Sequence, residues 1–242
     1  EAYVNQMAFR RGRQERELME HVTDAVRGVI TGSQVRWAGS QRKGTPIQSS
    51  DLDLCVESRA PVTVAQRRAL RAALEVGLRR PAVILSHAVR LPSDGDHRKV
   101  DIAFANATFG SRPLPNPESF HDKRARQLAA RALKLWCRSA NVPHMPGWAV
   151  EALVVHLDPP EAQRTPLELF VRILSWLDER ASPAAVESVL RPAAFPEWHV
   201  AWSERLPGRL EAIRNQARSL RSRAPQPDAW GSMEDVGHWL SG

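Results

Sequence analysis

Apolar residues recur along this chain with two periods. From about Arg10 to Ile30, Leu18, Val22, Ala25, Val26 and Val29 return at helical spacing with charges between them, which predicts an amphipathic helix. Thr31-Gly32-Ser33 is its stop signal. Gln34 to Ala38 reads as a short strand carrying Val35 and Trp37, and Asp51 to Glu57 as a second strand. Pro61 and Thr63 open a helix that runs through about Arg79, with Val64, Leu70, Leu74 and Leu78 facing inward and Pro81 ending it. Ala82 to Leu91 is rich in β-formers, Pro92 to Asp96 has turn chemistry, and Lys99 to Phe104 is a further strand. Residues 82 to 104 are therefore predicted as a hairpin.

After Asn106 the pattern changes. Three Pro and one Gly between residues 110 and 118 mark a linker, and helical periodicity takes over beyond it. Phe120 to Ala140 forms one long helix with Leu128, Ala132, Leu135 and Trp136 on its apolar side, and Pro143 and Pro146 break the chain after it. Trp148 to Leu157 is a buried helix, and Pro166 to Arg180 turns Leu167, Phe170, Leu174 and Leu177 inward. Pro183 to Leu190 and Trp202 to about Arg223 complete the set. Strands first and helices later predict an α+β protein: a small mixed sheet with its N-terminal helix over residues 1–109, then an all-helical domain over 110–242.

Composition narrows the function classes. With 43% hydrophobic and 25% charged residues the chain is ordinarily globular. Its longest apolar stretch, Trp148 to Leu157, is interrupted by Glu151 and His156 and falls far short of the ~20 residues that cross a bilayer. No basic segment leads into an apolar run at the start, so the expectation is a cytoplasmic protein with no membrane partner. Cys55 and Cys137 lie in apolar segments and are expected as free thiols. No Cys-x-x-Cys pair exists and the His are scattered, which argues against a structural zinc site. A net charge of +7 and a pI near 10.3 favour an anionic partner, nucleotide or nucleic acid. Four Lys against thirty Arg also has the look of compositional bias, so charge alone does not decide.

The candidate chemistry starts at Gly39-Ser40 and ends at Asp51-Leu52-Asp53-Leu54. Alternation along a strand puts Asp51 and Asp53 on one face and Leu52 and Leu54 on the other. Two like charges on one face repel, and a divalent cation turns that repulsion into coordination. Gly39 lets a backbone approach a phosphate closely, and the Ser40 hydroxyl and the following amides suit phosphate oxygens. Asp101, alone in the apolar strand Lys99-Val100-Asp101-Ile102-Ala103-Phe104, supplies a third carboxylate if that strand lies beside the first. Three acids hold two metal ions for an in-line displacement at phosphorus. The plain alternative is a strand-edge Asp101 capped by Lys99 or Arg98.

Gly39-Ser40, Lys43-Gly44-Thr45, Ser50-Asp51-Leu52-Asp53-Leu54 and Val100-Asp101 together resemble the motif set of the DNA polymerase β-type nucleotidyltransferase superfamily. The Lys-Gly-Thr variant is most similar to the branch with oligoadenylate synthases, cyclic GMP-AMP synthase and bacterial cyclic-oligonucleotide synthases; poly(A) and CCA-adding polymerases are more distant relatives. The resemblance implies a template-independent transferase that uses Mg²⁺, with Mn²⁺ as the alternative. Asp51, Asp53 and Asp101 would be its metal ligands and catalytic residues. Gly39, Ser40, Lys43 and Thr45 would lie on the nucleotide.

The resemblance continues into the helical half. Ala132-Leu133-Lys134-Leu135-Trp136 looks like the helix whose Lys reaches the triphosphate, so Lys134 takes that role. Pro146-Gly147-Trp148 resembles a segment where relatives carry Ser-Tyr: Gly147 lacks the phosphate-facing hydroxyl, and Trp148 would stack on the base. A core Trp and a snorkelling Lys are the ordinary readings of those two residues. The zinc-binding insertion of DNA-sensing animal relatives has no counterpart here. Near the C-terminus Arg214, Arg218 and Arg221 share a helical face, read either as a surface for RNA phosphates or as a solvated face. The function expected is NMP transfer from an NTP to the 3′-hydroxyl of RNA or of a second nucleotide, with release of pyrophosphate. The second acceptor would make the chain a synthase of cyclic or linear oligonucleotide messengers. A small-molecule or protein hydroxyl is a further acceptor, and a non-catalytic RNA-binding protein on this fold is the contrasting class.

Overall fold

The structure is a computed structural model that describes residues 12–48, 50–85, 88–95, 97–105, 117–139, 145–159, 164–190 and 206–223. They fall into two compact units, one within Phe9–Pro113 and one within Leu114–Gly242.

The first unit begins with helix α1 (Arg13–Val29) and strand β1 (Gln34–Trp37). A five-residue helix, α2 (Gly39–Lys43), follows where the sequence pattern predicts only a turn. Five residues are too few to show a helical period. Strand β2 (Leu52–Glu57) leads to helix α3 (Val64–Leu78), whose start is fixed by a capping box. There the Gln66 amide donates to Thr63 Oγ1 and the Thr63 amide to Gln66 Oε1.

Residues 82 to 91 form two strands rather than one: β3 (Val83–Ile84) and β4 (Ala88–Leu91) pair antiparallel. Leu85-Ser86-His87 joins them without a Gly, Pro, Asn or Asp, so the usual turn signal is missing; Ser86 and His87 lie outside the described residues. Strand β5 (Val100–Ala105) completes the unit. The predicted hairpin is thus the last two strands of a three-strand meander.

The sheet order is β1-β2-β5-β4-β3, with β2 and β5 parallel and the other pairs antiparallel. This is the small mixed sheet the sequence pattern predicts. Burial alternates strictly along β2 and β5. Leu52, Leu54, Val56, Val100, Ile102 and Phe104 are buried with Val22 and Val26 of α1 and Leu70 and Leu74 of α3. The opposite face carries the half-exposed Asp53 and Asp101. The apolar face is therefore the core of the unit, and its burial fixes which way the acids point.

The second unit is helical throughout: a 3₁₀ turn (Pro117–Ser119), then α4 (Arg124–Ser139), α5 (Gly147–Leu157), α6 (Pro166–Glu179), α7 (Pro183–Leu190) and α8 (Leu206–Ser222). A second capping box, Thr165 with Glu168, and Pro166 in the first turn start α6. Trp136, Leu153, Leu169, Ile173, Leu174, Ile213 and Leu220 belong to one core drawn from α4, α5, α6 and α8. Near its entrance Arg126 is buried against Asp158 at 2.7 Å and also donates to the Ser119 carbonyl at 2.8 Å. Residues 110–116 of the predicted linker and residues 191–205 before α8 lie outside the described residues, and the linker's last two, Pro117 and Glu118, open the 3₁₀ turn. No helix among the described residues is long and apolar enough to cross a membrane, and Cys55 and Cys137 are free thiols.

Candidate active site

The parallel register of β2 and β5 sets Asp53 directly beside Asp101. Neighbouring strands lie ~4.8 Å apart, and both side chains leave the polar face of the sheet. Asp51 stands just ahead of β2, where the Leu52 amide donates to the Lys99 carbonyl at 2.9 Å and ties the two strand starts together. The backbone therefore gathers the three acids named from the sequence at one end of two central strands. β5 lies between β2 and β4, so Asp101 is not a strand-edge residue.

Two cations hold this acidic end. Lys99 Nζ is 2.5 Å from Asp51 Oδ2. Arg90, opposite Asp101 on β4, grips that carboxylate with both ends of its fork: Nε donates to Oδ1 at 2.6 Å and Nη2 to Oδ2 at 3.0 Å. The hydrogen bond to Asp101 is the main reason the Arg90 pKa is raised, and the fields of Asp101, Asp51 and Asp53 add to it. All three acids thus act on one guanidinium. The cation on Asp101 is Arg90, not Lys99 or Arg98 as the sequence alone suggests; Arg98 instead donates to the Ser50 carbonyl at 3.2 Å.

The donor set, hard carboxylate oxygens without thiolate or imidazole, suits Mg²⁺ or Mn²⁺. As placed, no three acidic or imidazole side chains among the described residues close on a single ion. Two of the three carboxylates face Lys99 and Arg90 instead, and a metal held here would have to take the place of those cations.

Gly39 has its reason in the same cluster. It sits at φ +50, and a Cβ built on it would lie 2.0 Å from Asp53 Oδ2. The close approach that calls for glycine is to the Asp53 side chain, whereas the sequence suggested a phosphate. Ser40 follows in α2, half-buried, and its hydroxyl has no hydrogen-bond partner among the described residues. Lys43 and Thr45 are buried, and the Thr45 amide donates to the Ser40 carbonyl at 3.0 Å to close the turn after α2.

In the helical unit Lys134 and Glu151 form a buried ion pair between α4 and α5, with Nζ 2.7 Å from Oε1. A Cβ on Gly147 would lie 3.3 Å from Lys134 Cε and 3.6 Å from Nζ. The residue that departs from the Ser of the resembling proteins is therefore the one over which the Lys134 stem passes. Glu151 carries no sequence signal beyond one acid in an apolar helix. Trp148 is half-buried and packs against the helical core.

Arg214, Arg218 and Arg221 are engaged inside the unit. Arg214 Nη2 donates to the Ala181 carbonyl. Arg218 Nε lies 3.0 Å and Arg221 Nη1 2.7 Å from the Asp178 carboxylate, and Arg221 also reaches Glu179 at 2.8 Å. These side chains join α8 to the end of α6.

No family model matches the sequence, and no curated protein matches it. Solved structures do. The chain is similar to the Cid1 poly(U) polymerase bound to MgGTP, with a TM-score of 0.71 and 12% identity over 99% of this chain and 96% of that one. It is similar to the non-canonical poly(A) polymerase complex GLD-2–GLD-3, with a TM-score of 0.68 and 12% identity over 100% and 96%. A cytoplasmic RNA terminal U-transferase matches with a TM-score of 0.57 and 13% identity over 75% and 69%. At such identities the likeness is one of fold: the chain shares the fold of these poly(U) and poly(A) polymerases.

Proposed function

We propose that this chain is a template-independent nucleotidyltransferase that moves NMP from an NTP to the 3′-hydroxyl of RNA and releases pyrophosphate. The observation that carries the reading is the placement of Asp53 beside Asp101 on adjacent parallel strands, with Asp51 at the strand start and Gly39 cleared for Asp53. A terminal RNA acceptor is favoured over a second nucleotide on two grounds. The similar solved structures are those of poly(U), poly(A) and terminal U-transferases, and the net charge is +7. Lys43 and Thr45, which suggested a messenger synthase, are buried and give that reading no exposed contact.

Asp51, Asp53 and Asp101 would hold Mg²⁺, or Mn²⁺, which supplies activation of the hydroxyl and charge stabilisation on the leaving pyrophosphate. The 3′-oxygen bonds to the α-phosphorus, the bond from that phosphorus to the bridging oxygen of the β-phosphate breaks, and Asp101 takes the hydroxyl proton once Arg90 has released it. Ser40 and the amides of α2 hold phosphate oxygens. Within the helical unit, Lys134, released from Glu151, and Trp148 are the residues that the resemblance offers to a triphosphate and to a base. The test is incubation of the purified chain with labelled NTPs, an RNA oligonucleotide and Mg²⁺. Stepwise extension of the RNA with release of pyrophosphate is expected. Equal extension by the Asp51→Ala, Asp53→Ala double variant overturns the proposal, and a phosphatase-resistant small product made without RNA replaces the acceptor by a nucleotide.

A further inference from the structure

The helical unit satisfies many of its cations internally. Arg126 and Arg164 lie on Asp158, Arg218 and Arg221 on Asp178, and Arg214 on a carbonyl. Arg172 and Arg180 are different. Both are exposed, and among the described residues neither guanidinium has an acidic partner or a hydrogen bond. Between them on α6 stands Trp176, four residues from each. Such spacing sets Arg172 and Trp176 along one side of the helix, with Arg180 as the residue that ends it, and the backbone carries the two Arg ~12 Å apart along the axis.

The three line one shallow concavity of about 240 Å³, together with Ser175 and Glu179. The indole is half-buried and packs against the core on one side. It is braced by His156, whose ring meets it edge-on at 6.4 Å between centroids and 64° between planes. Its orientation is thus set before any ligand arrives. The one acid in the concavity, Glu179, faces Arg221 at 2.8 Å, which offsets its charge. What remains is a fixed aromatic surface flanked by two uncompensated guanidiniums.

A ligand that answers both features carries flat rings at intervals along an anionic backbone. Single-stranded RNA has this chemistry: a base stacks on the indole while phosphates on either side meet the guanidiniums. A duplex keeps its bases stacked inside and offers no ring to Trp176. We propose that Arg172, Trp176 and Arg180 form a binding surface for single-stranded RNA, the acceptor strand of the reaction proposed above. The strand's role rests on that reading, whereas the surface is tested by binding alone.

The experiment is fluorescence anisotropy of a labelled oligouridylate, and of the same strand in a duplex, with the full chain over a range of salt concentrations. Single-stranded RNA should bind more tightly than the duplex. Trp176→Ala should weaken binding about tenfold, and Trp176→Phe should keep most of the affinity. The Arg172→Ala, Arg180→Ala double variant, exposed at both positions, should reduce the slope of log affinity against log salt by roughly 1.4, about 0.7 for each phosphate no longer neutralised. An unchanged affinity and slope in the double variant overturns the inference, as does a duplex bound as tightly as the single strand. Failure of Trp176→Phe to restore what Trp176→Ala loses also overturns it, and marks the indole as a packing residue or as a contact for a protein. A chain that binds RNA through these residues but transfers no NMP would sink the transferase reading and leave this one standing. An active chain whose RNA affinity survives the substitutions would do the reverse.

Discussion

Replacing Gly39 by alanine separates the geometry of the acidic cluster from the general tolerance of the fold. The added Cβ would lie 2.0 Å from Asp53 Oδ2, 2.7 Å from its Cγ and 3.0 Å from its Cβ. Rotating the carboxylate away relieves the first two contacts but not the third, because Asp53 Cβ is fixed by the strand. The Asp53 carbonyl accepts from the Ala38 amide at 2.8 Å, and β2 is paired on both sides. Alanine also meets the left-handed backbone at φ +50, which costs about 1–2 kcal/mol for a residue with a Cβ. Gly32 provides the control: it sits at φ +72 with nothing within 4 Å of its built Cβ. Gly32→Ala should therefore lose only the backbone cost. Gly39→Ala should lose about 1–3 kcal/mol more, the usual range for overpacking. An Asp53 carboxylate moved by about 1 Å should lower turnover on the order of 10²-fold. Urea unfolding of both variants and NMP incorporation across a Mg²⁺ titration measure the two effects. If Gly39→Ala matches Gly32→Ala in stability and the unaltered chain in turnover, the close approach to Asp53 is not what the site depends on.

Three further outcomes follow from the charges. Glu151→Leu or Lys134→Met alone should destabilise the chain by about 3–5 kcal/mol, since each removes the 2.7 Å ion-pair contact of a buried charge. The double variant should recover most of that in urea melts, and purely additive losses would dissolve the coupling. Arg90→Gln should lower the metal-free melting temperature and enlarge the rise produced by Mg²⁺, because a cation competing for Asp101 is gone; an unchanged Mg²⁺-dependent rise in calorimetry would exclude Arg90 as competitor. Arg218→Ala with Arg221→Ala should cost about 1 kcal/mol or less for these solvent-screened pairs and leave RNA affinity unchanged. A fall in RNA affinity at constant stability would restore the phosphate-tracking reading of α8.

The parts of the fold legible in the sequence are those in which burial imposes a period. The alternation of Leu52, Leu54, Val56 and of Val100, Ile102, Phe104 marks β2 and β5 within a residue of their ends, because only one face of each is buried. The helical stripes on α1, α3 and α6 are equally plain. Elements with no period to display are not legible: α2 is a single turn and a half, and β3 and β4 merge into one β-rich stretch. Residue types in a motif carry no statement about burial either. Lys43, Thr45 and Lys134 are expected on the nucleotide from the motif resemblance, and here all three side chains are buried, Lys134 against an acid 17 positions along the chain. Nothing in the spacing of Lys134 and Glu151 foretells their meeting, since it depends on how α4 and α5 cross.

The candidate site divides along the same line. Asp51 and Asp53 are legible because strand periodicity is local. Asp101 is legible as a lone acid in an apolar strand. Arg90 is not, although it touches Asp101 directly. Its partnership depends on the register of β4 with β5, in which Leu91 faces Val100 and Arg90 faces Asp101. The turn chemistry at Pro92 to Asp96 marks a connection but not its register, and a slip of one residue would set another side chain against Asp101. The omission matters because of the charges involved. Two carboxylates about 5 Å apart repel by about 3 kcal/mol at an effective dielectric constant near 20. Three of them at the end of two core strands would oppose the strand pairing that brings them together. Arg90 and Lys99 offset that repulsion within the chain, so the sheet closes without a metal, and a metal held by these acids would have to displace the same two cations. The acids report what the site could hold, and the cations across the register would set how tightly it held it.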